Sequence, residues 1–159
     1  MPETERTFVM LKPDALQRRL AGTVISRFER KGLKIAGMRL LQIDEQLARQ
    51  MYSVHEGKDF YEPLIRFVTS SPVVAMVLEG VGAISMVRAM MGATFGPDAG
   101  LGTIRGDFGA SRRHNLVHGS DSPESARREI PLFFDESQLV DYSLNDEDWV
   151  YARQGDELI

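Results

Sequence analysis

The sequence contains no cysteine, which removes disulfides, thiolate nucleophiles and cysteine metal sites together. A chain without thiols suits the cytoplasm, the expected location. Long apolar runs are missing too. Val73 to Leu78 is interrupted at Glu79, well short of the ~18 residues of a membrane helix. The opening M-P-E-T-E-R-T is polar and acidic, without the apolar region of a signal peptide. Nor is there an excess of positive charge. Nineteen Lys and Arg against 23 Asp and Glu leave a net charge of −4. That argues against a dedicated nucleic-acid binder, though it permits a local basic pocket. Histidine is scarce, with three in the chain.

What is present describes a soluble globular protein: 43% apolar and 26% charged residues over 159 positions. Such a length fits a single domain spanning residues 1–159, with 152–159 expected as a loose tail. Thr7 to Leu11 reads as a buried strand turned by Lys12-Pro13-Asp14. Val24, Ile25 and Phe28 recur at helical spacing between Gly22 and Lys31, and Gly32 follows as a stop. A strand over Leu33 to Ile43 precedes Asp44, a cap for a helix carrying Leu47, Met51 and Val54. Helices follow at Tyr61 to Ser70 and Ala83 to Met91, flanking a central strand from Val73.

Residues 92–109 hold six of the fourteen glycines and read as a long functional loop without regular structure of its own. Leu116 and Val117 read as the end of a buried strand. Ser122 and Pro123 suit the cap and first turn of a helix running to about Phe134, with Glu124 and Arg128 as an i, i+4 pair. Trp149 and Tyr151 are expected to anchor the acidic tail. Alternating strands and helices indicate α/β or α+β, and the pattern leaves the sheet's sense open.

Basic residues beside turns and glycines, namely Lys12, Arg88, Arg105, Arg112 and Arg113, are candidates for an anion site. His118 sits between an apolar run and a turn. Glu129 lies eleven residues on, and from Pro123 it is ~9 Å along a helix. A carboxylate there can reach one imidazole nitrogen and leave the other with a free lone pair, as a nucleophile requires. Spacing alone nevertheless favours an exposed carboxylate at Glu129.

F-V-M-L-K-P-D-A (8–15), T-I-R-G-D-F (103–108) and N-L-V-H-G-S-D-S-P-E-S-A (115–126) together resemble the nucleoside diphosphate kinases. S-P-V-V-A-M-V-L-E-G (71–80) and L-V-D-Y (139–142) extend the similarity over most of the chain. The resemblance implies an α+β fold: a ferredoxin-like βαββαβ core with a four-stranded antiparallel sheet and additional helices. It also implies ping-pong transfer of the γ-phosphate of a nucleoside triphosphate to a nucleoside diphosphate through a phosphohistidine.

On that resemblance His118 is the nucleophile, Glu129 orients it, and Ser120 supports the carboxylate. Lys12 and Asn115 hold the ribose and its hydroxyls, while Arg88, Thr94 and Arg105 bind phosphates. Tyr52 and His55 lie near the phosphate path. Phe60 stacks on the base with Leu64 beside it, and a stacking contact tolerates every base. Mg²⁺ is expected on the nucleotide phosphates, since the chain offers no all-protein metal cage. The family also implies a homo-oligomer, a hexamer or alternatively a tetramer, while the short apolar runs and acidic balance leave no membrane and no dedicated nucleic-acid partner expected.

Three positions depart from the usual pattern. Ala15 replaces a common glycine, Arg112 a small apolar residue facing the base, and His114 a frequent arginine. Arg112 is open to two readings, a guanidinium over the base opposite Phe60 or a solvated charge. An RNA-reading module is disfavoured by the lack of an RNP1 pattern. A His114/His118 metal site is disfavoured by their expected place in a strand flanked by turns.

Overall fold

Strand β1 (Thr4–Leu11) alternates its side chains between two cores, as the period of two in a strand demands. Phe8 and Met10 enter one apolar cluster and Val9 and Leu11 the other. The computed structural model describes residues 3–159. In it β1 runs antiparallel to β3 (Val73–Val81) from Thr4↔Val81 to Leu11↔Val74. Its other edge pairs antiparallel with the short β4 (Val117–Gly119), placing Met10 opposite His118. With β2 (Lys34–Leu41) the order is β2-β3-β1-β4, all antiparallel. This is the ferredoxin-like α+β arrangement.

One face of the sheet is covered by α1 (Pro13–Gln17), α2 (Ala21–Arg30) and α5 (Ala83–Met91), through Ala15, Val24, Phe28, Val87 and Met91. The opposite face carries α3 (Glu45–Met51), α4 (Tyr61–Val68) and α7 (Pro123–Phe133), through Ala48, Met51, Ile65 and Phe133. Helices α3 and α4 are an insertion between β2 and β3. They form the outer wall of the cleft above His118.

Local signals act as their chemistry directs. The Asp44 carboxylate accepts from Leu47 N at 2.7 Å, and the Ser122 hydroxyl accepts from Ser125 N at 3.1 Å. Gly32 ends the segment after α2 at φ +96°, and a Cβ there would collide with Val150.

Several expectations need correction. The glycine-rich stretch is not without structure, because it contains a 3₁₀ turn at Gly96–Asp98 and helix α6 (Ile104–Phe108). Its glycines let backbone press on backbone: a Cβ on Gly96 or Gly106 would strike the main chain of Gly109 or Gly100. Leu116 is not in a strand and has φ +71°. Glu124 pairs with Arg127 at 3.4 Å. Arg128, its expected partner, instead donates to the Gln50 and Met51 carbonyls. Trp149 anchors nothing at 91% exposure, whereas the Tyr151 hydroxyl accepts from Val81 N at 3.2 Å. After α8 (Glu147–Val150) the tail closes into a hairpin, β5 (Arg153–Gln154) with β6 (Glu157–Leu158), rather than trailing loosely.

Candidate active site

His118 shares the sheet face of Met10, its cross-strand partner, and so points toward α7. Along α7 the inward stripe is Ala126, Glu129 and Phe133, the i, i+3, i+7 spacing of a helix packed on a sheet. Glu129 is therefore 3% exposed, not the solvated carboxylate that spacing alone favoured. One of its oxygens accepts from His118 Nε2 at 2.6 Å and the other from Ser120 Oγ at 2.5 Å. A neutral imidazole donating from Nε2 keeps a free lone pair on Nδ1.

Charges around the ring oppose one another. Burial is the largest influence on His118 and lowers its pKa. The bond and charge of Glu129 raise it, Lys12 and Arg88 lower it, and the net direction is downward. For Glu129, burial pushes the carboxyl up. The bonds from His118 and Ser120 outweigh it, so the carboxyl lies below its ordinary range. Both shifts favour neutral imidazole beside carboxylate at neutral pH.

The cationic wall is built from the turn after β1, from α5 and from the glycine-rich loop. Lys12 is 6% exposed, and its Nζ donates to Asn115 Oδ1 at 2.8 Å. The Asn115 amide in turn donates to the Thr94 carbonyl at 2.9 Å. Burial, then repulsion from Arg105, lowers the Lys12 ammonium from 10.5 to about 7, with Asp14 opposing. Arg105 is 4% exposed and donates to the Asn115, Gly92 and Val117 carbonyls. Burial and Arg88 bring its pKa down to about 10, so it stays cationic at neutral pH. Three of its five N–H groups are engaged in those bonds, which leaves two for an anion. Arg88 reaches the Gly119 carbonyl at 3.4 Å.

The α3–α4 wall supplies aromatics. Tyr52 meets the His118 ring edge-on at 5.8 Å between centroids, and His55 lies 5.1 Å from Phe60. The Tyr52 hydroxyl is buried without a hydrogen-bond partner. Burial and the Glu129 charge push its pKa up, so it remains a protonated donor. His55 Nδ1 is 3.3 Å from Lys58 Nζ, and burial followed by Lys58 lowers its pKa. Phe60 is 43% exposed at the mouth, with Leu64 half-buried one turn on.

Two carboxylates were not singled out in the sequence. Asp14 accepts from Leu116 N at 3.1 Å and so holds the left-handed turn between Asn115 and Val117. Its signal is the K-P-D that opens α1. Asp121 follows the histidine in H-G-S-D-S and accepts from Ser125 Oγ at 2.5 Å. Arg112 is exposed at the surface. Its guanidinium covers the Phe95 ring at 4.1 Å and lies 3.7 Å from Asp98. His114 stacks on Phe67, and no cluster of three His, Asp or Glu able to hold a metal exists among the described residues. A surface hollow of about 590 Å³ beside Glu45, Arg49 and Tyr61 contains none of these groups. The candidate site is the cleft over β4.

An antiparallel α+β sheet presenting a carboxylate-bound histidine to buried cations defines a phosphotransferase type of site. The sequence profile of the nucleoside diphosphate kinase family matches residues 5–139, and the chain belongs to that family. The nucleoside diphosphate kinase of Methanothermobacter thermautotrophicus is 54% identical over 94% of this chain and 99% of its own. The fold is shared with the halophilic nucleoside diphosphate kinase of Halobacterium salinarum in complex with CDP. There the TM-score is 0.91 and identity 51%, covering 94% of this chain and 99% of that one. A transition-state mimic of the Borrelia burgdorferi enzyme with bound vanadate and ADP gives 0.86 and 37%, over 91% and 95%. The protein is an enzyme of nucleotide phosphotransfer. No helix among the described residues is long and apolar enough to cross a membrane.

Proposed function

We propose that His118 Nδ1 is the nucleophile of a ping-pong nucleoside diphosphate kinase with broad base tolerance. The nitrogen lone pair forms an N–P bond to the γ-phosphorus while the β–γ bridging P–O bond breaks. The departing diphosphate takes the bonding electron pair. A second diphosphate then attacks through a terminal oxygen, and the N–P electrons return to the ring. The supporting observation is the Nε2–H bond to Glu129, which leaves the Nδ1 lone pair free on a ring that feels the charges of Lys12 and Arg88.

Charge on the equatorial oxygens of the transferring group is stabilised by those cations, with Tyr52 as an added donor and Thr94 and His55 beside the phosphates. Lys12 and Asn115 hold the sugar side, and Phe60 with Leu64 receives the base. A divalent cation, Mg²⁺ in this reading, would neutralise phosphate charge when bound. A cationic donor set without a carboxylate cage fits an ion carried by the phosphates themselves.

Incubation with γ-labelled nucleoside triphosphate should give an alkali-stable, acid-labile label on the protein. A label stable to acid, or none at all, would overturn the phosphohistidine. Glu129→Gln should slow phosphorylation and move the acidic limb of kcat/KM for triphosphate to lower pH. The sign follows from Glu129 raising the His118 pKa, so its loss extends the neutral ring downward. An unmoved limb would mean that the carboxylate does not act on the ring.

The homo-oligomer, hexameric or tetrameric, is part of the same reading. Strand β2 is a sheet edge with Met38 46% and Leu40 68% exposed, which favours pairing with a second copy. The cytoplasm is the compartment assigned. Light scattering counts the copies, and a monomer at micromolar concentration would contradict the assembly.

A further inference from the structure

Phe60, Leu64 and Phe67 follow one another at spacings of four and three, so they line one face of α4 and its first turn. The exposed Phe60 ends this stripe at the cleft mouth, and Phe67 ends it two turns inward, ~10 Å away. Across from the stripe runs the end of the glycine-rich loop. Its backbone is gathered by Ser111 Oγ, which accepts from Arg113 N and His114 N at 3.2 Å each. Arg112 turns back onto Phe95 of its own loop. His114 turns the other way. Its imidazole lies on the Phe67 ring with centroids 4.6 Å apart and planes 7° from parallel. The next residue, Asn115, bonds to Lys12 and to Thr94.

We propose that the His114–Phe67 stack is a clasp between the two walls of the nucleotide cleft, making His114 a positioning residue that sets the width of the base slot. The inference rests on the reading of Phe60 and Leu64 as the base platform. His114 touches no reacting atom. It ties the loop to the helix that carries the platform, so that the slot is already formed when the base arrives. Without the clasp the loop must be ordered at the expense of binding, which weakens nucleotide affinity and leaves the phosphoryl-transfer step untouched. A nucleobase of any kind has the same thickness, so the loss falls alike on purines and pyrimidines.

Four variants test this by steady-state kinetics with guanosine and cytidine diphosphates at saturating triphosphate. His114→Ala should raise KM for both by about fivefold, in line with the worth of a stacked aromatic pair, with kcat little changed. His114→Phe, which keeps a stacking plane, should return KM to near the parent value. Phe67→Leu should mimic His114→Ala, and the double variant should be no worse than the worse single, because the two side chains serve one contact. An unchanged KM, multiplied losses in the double variant, a fall confined to kcat, or no rescue by phenylalanine would each overturn the clasp. His114 is exposed, and Phe67 is only partly buried and stays apolar in Phe67→Leu, so all four chains should fold. The γ-label experiment on the parent reads the phosphohistidine independently of KM, so failure there and failure here are distinguishable.

Discussion

His118→Ala should lose both label incorporation and nucleotide exchange, by at least ~10⁴-fold in rate. On the proposed mechanism this substitution removes the covalent path altogether, and no neighbour replaces it. Tyr52 has its pKa pushed up by burial, and Ser120 already donates to Glu129. Diphosphate binding should survive within a few-fold, because Lys12, Asn115 and the Phe60 face are untouched. The variant also strands one oxygen of a carboxylate that is 3% exposed. A stability loss of about 1–3 kcal/mol is expected from that lost partner. Calorimetric binding of a diphosphate beside the exchange assay separates chemistry from folding. More than a tenth of parent activity would remove His118 from the mechanism.

Lys12→Met should lower kcat/KM by about 10²–10³-fold, the usual effect of removing one preorganised charge that faces a developing anion. Met keeps the length of the side chain, so the loss reports the ammonium and its bond to Asn115. The folded chain holds this ammonium at a pKa of about 7 against 10.5 for the ordinary group. Between those values the unfolded chain binds more protons, so stability rises with pH across that window, and at pH 7 the charge costs the fold. The variant should therefore melt no lower than the parent at pH 7. A bound phosphate restores the charge. Nucleotide binding to the parent at pH 8 should take up protons, seen as a heat that changes with buffer ionisation enthalpy. Lys12→Met should abolish that dependence, and activity within threefold of the parent would place Lys12 outside the reaction.

What the sequence revealed depended on how far a signal must reach. Ala83–Met91 emerges at its observed ends because its apolar spacing is local. Asp44 and Ser122 cap helices because a cap bonds within three residues. The family motifs led to His118, Glu129 and the cations. The burial of Glu129 was not legible, since it depends on which stripe of α7 meets the sheet. The role of Asp14 is not legible either, because its partner, Leu116 N, lies 102 residues away. The same distance problem hid the Leu116 turn, which apolar neighbours disguised as a strand. In the tail, the hydrophobicity of Trp149 suggests an anchor, yet the side chain is exposed, and the hairpin beyond it carries little apolar patterning. Arg112 and His114 found aromatic partners, Phe95 and Phe67, that no spacing rule connects to them.

The pairing of β1 with β4 has a consequence for how the chain acquires activity. Met10 lies opposite His118, and Lys12 N meets the Leu116 carbonyl, so the cleft joins residues made early to residues made more than a hundred positions later. Contacts of that sequence separation must close a long loop before they are rewarded, which tends to make them slow to form. Strands β1, β2 and β3 are all complete by Val81, before β4 exists on a chain emerging from synthesis. A sheet at that stage has an open β1 edge, and His118, the nucleophile of the proposed mechanism, is not yet beside Lys12. On the proposed mechanism the cleft is complete only once β4 has docked against β1 and brought His118 to its place.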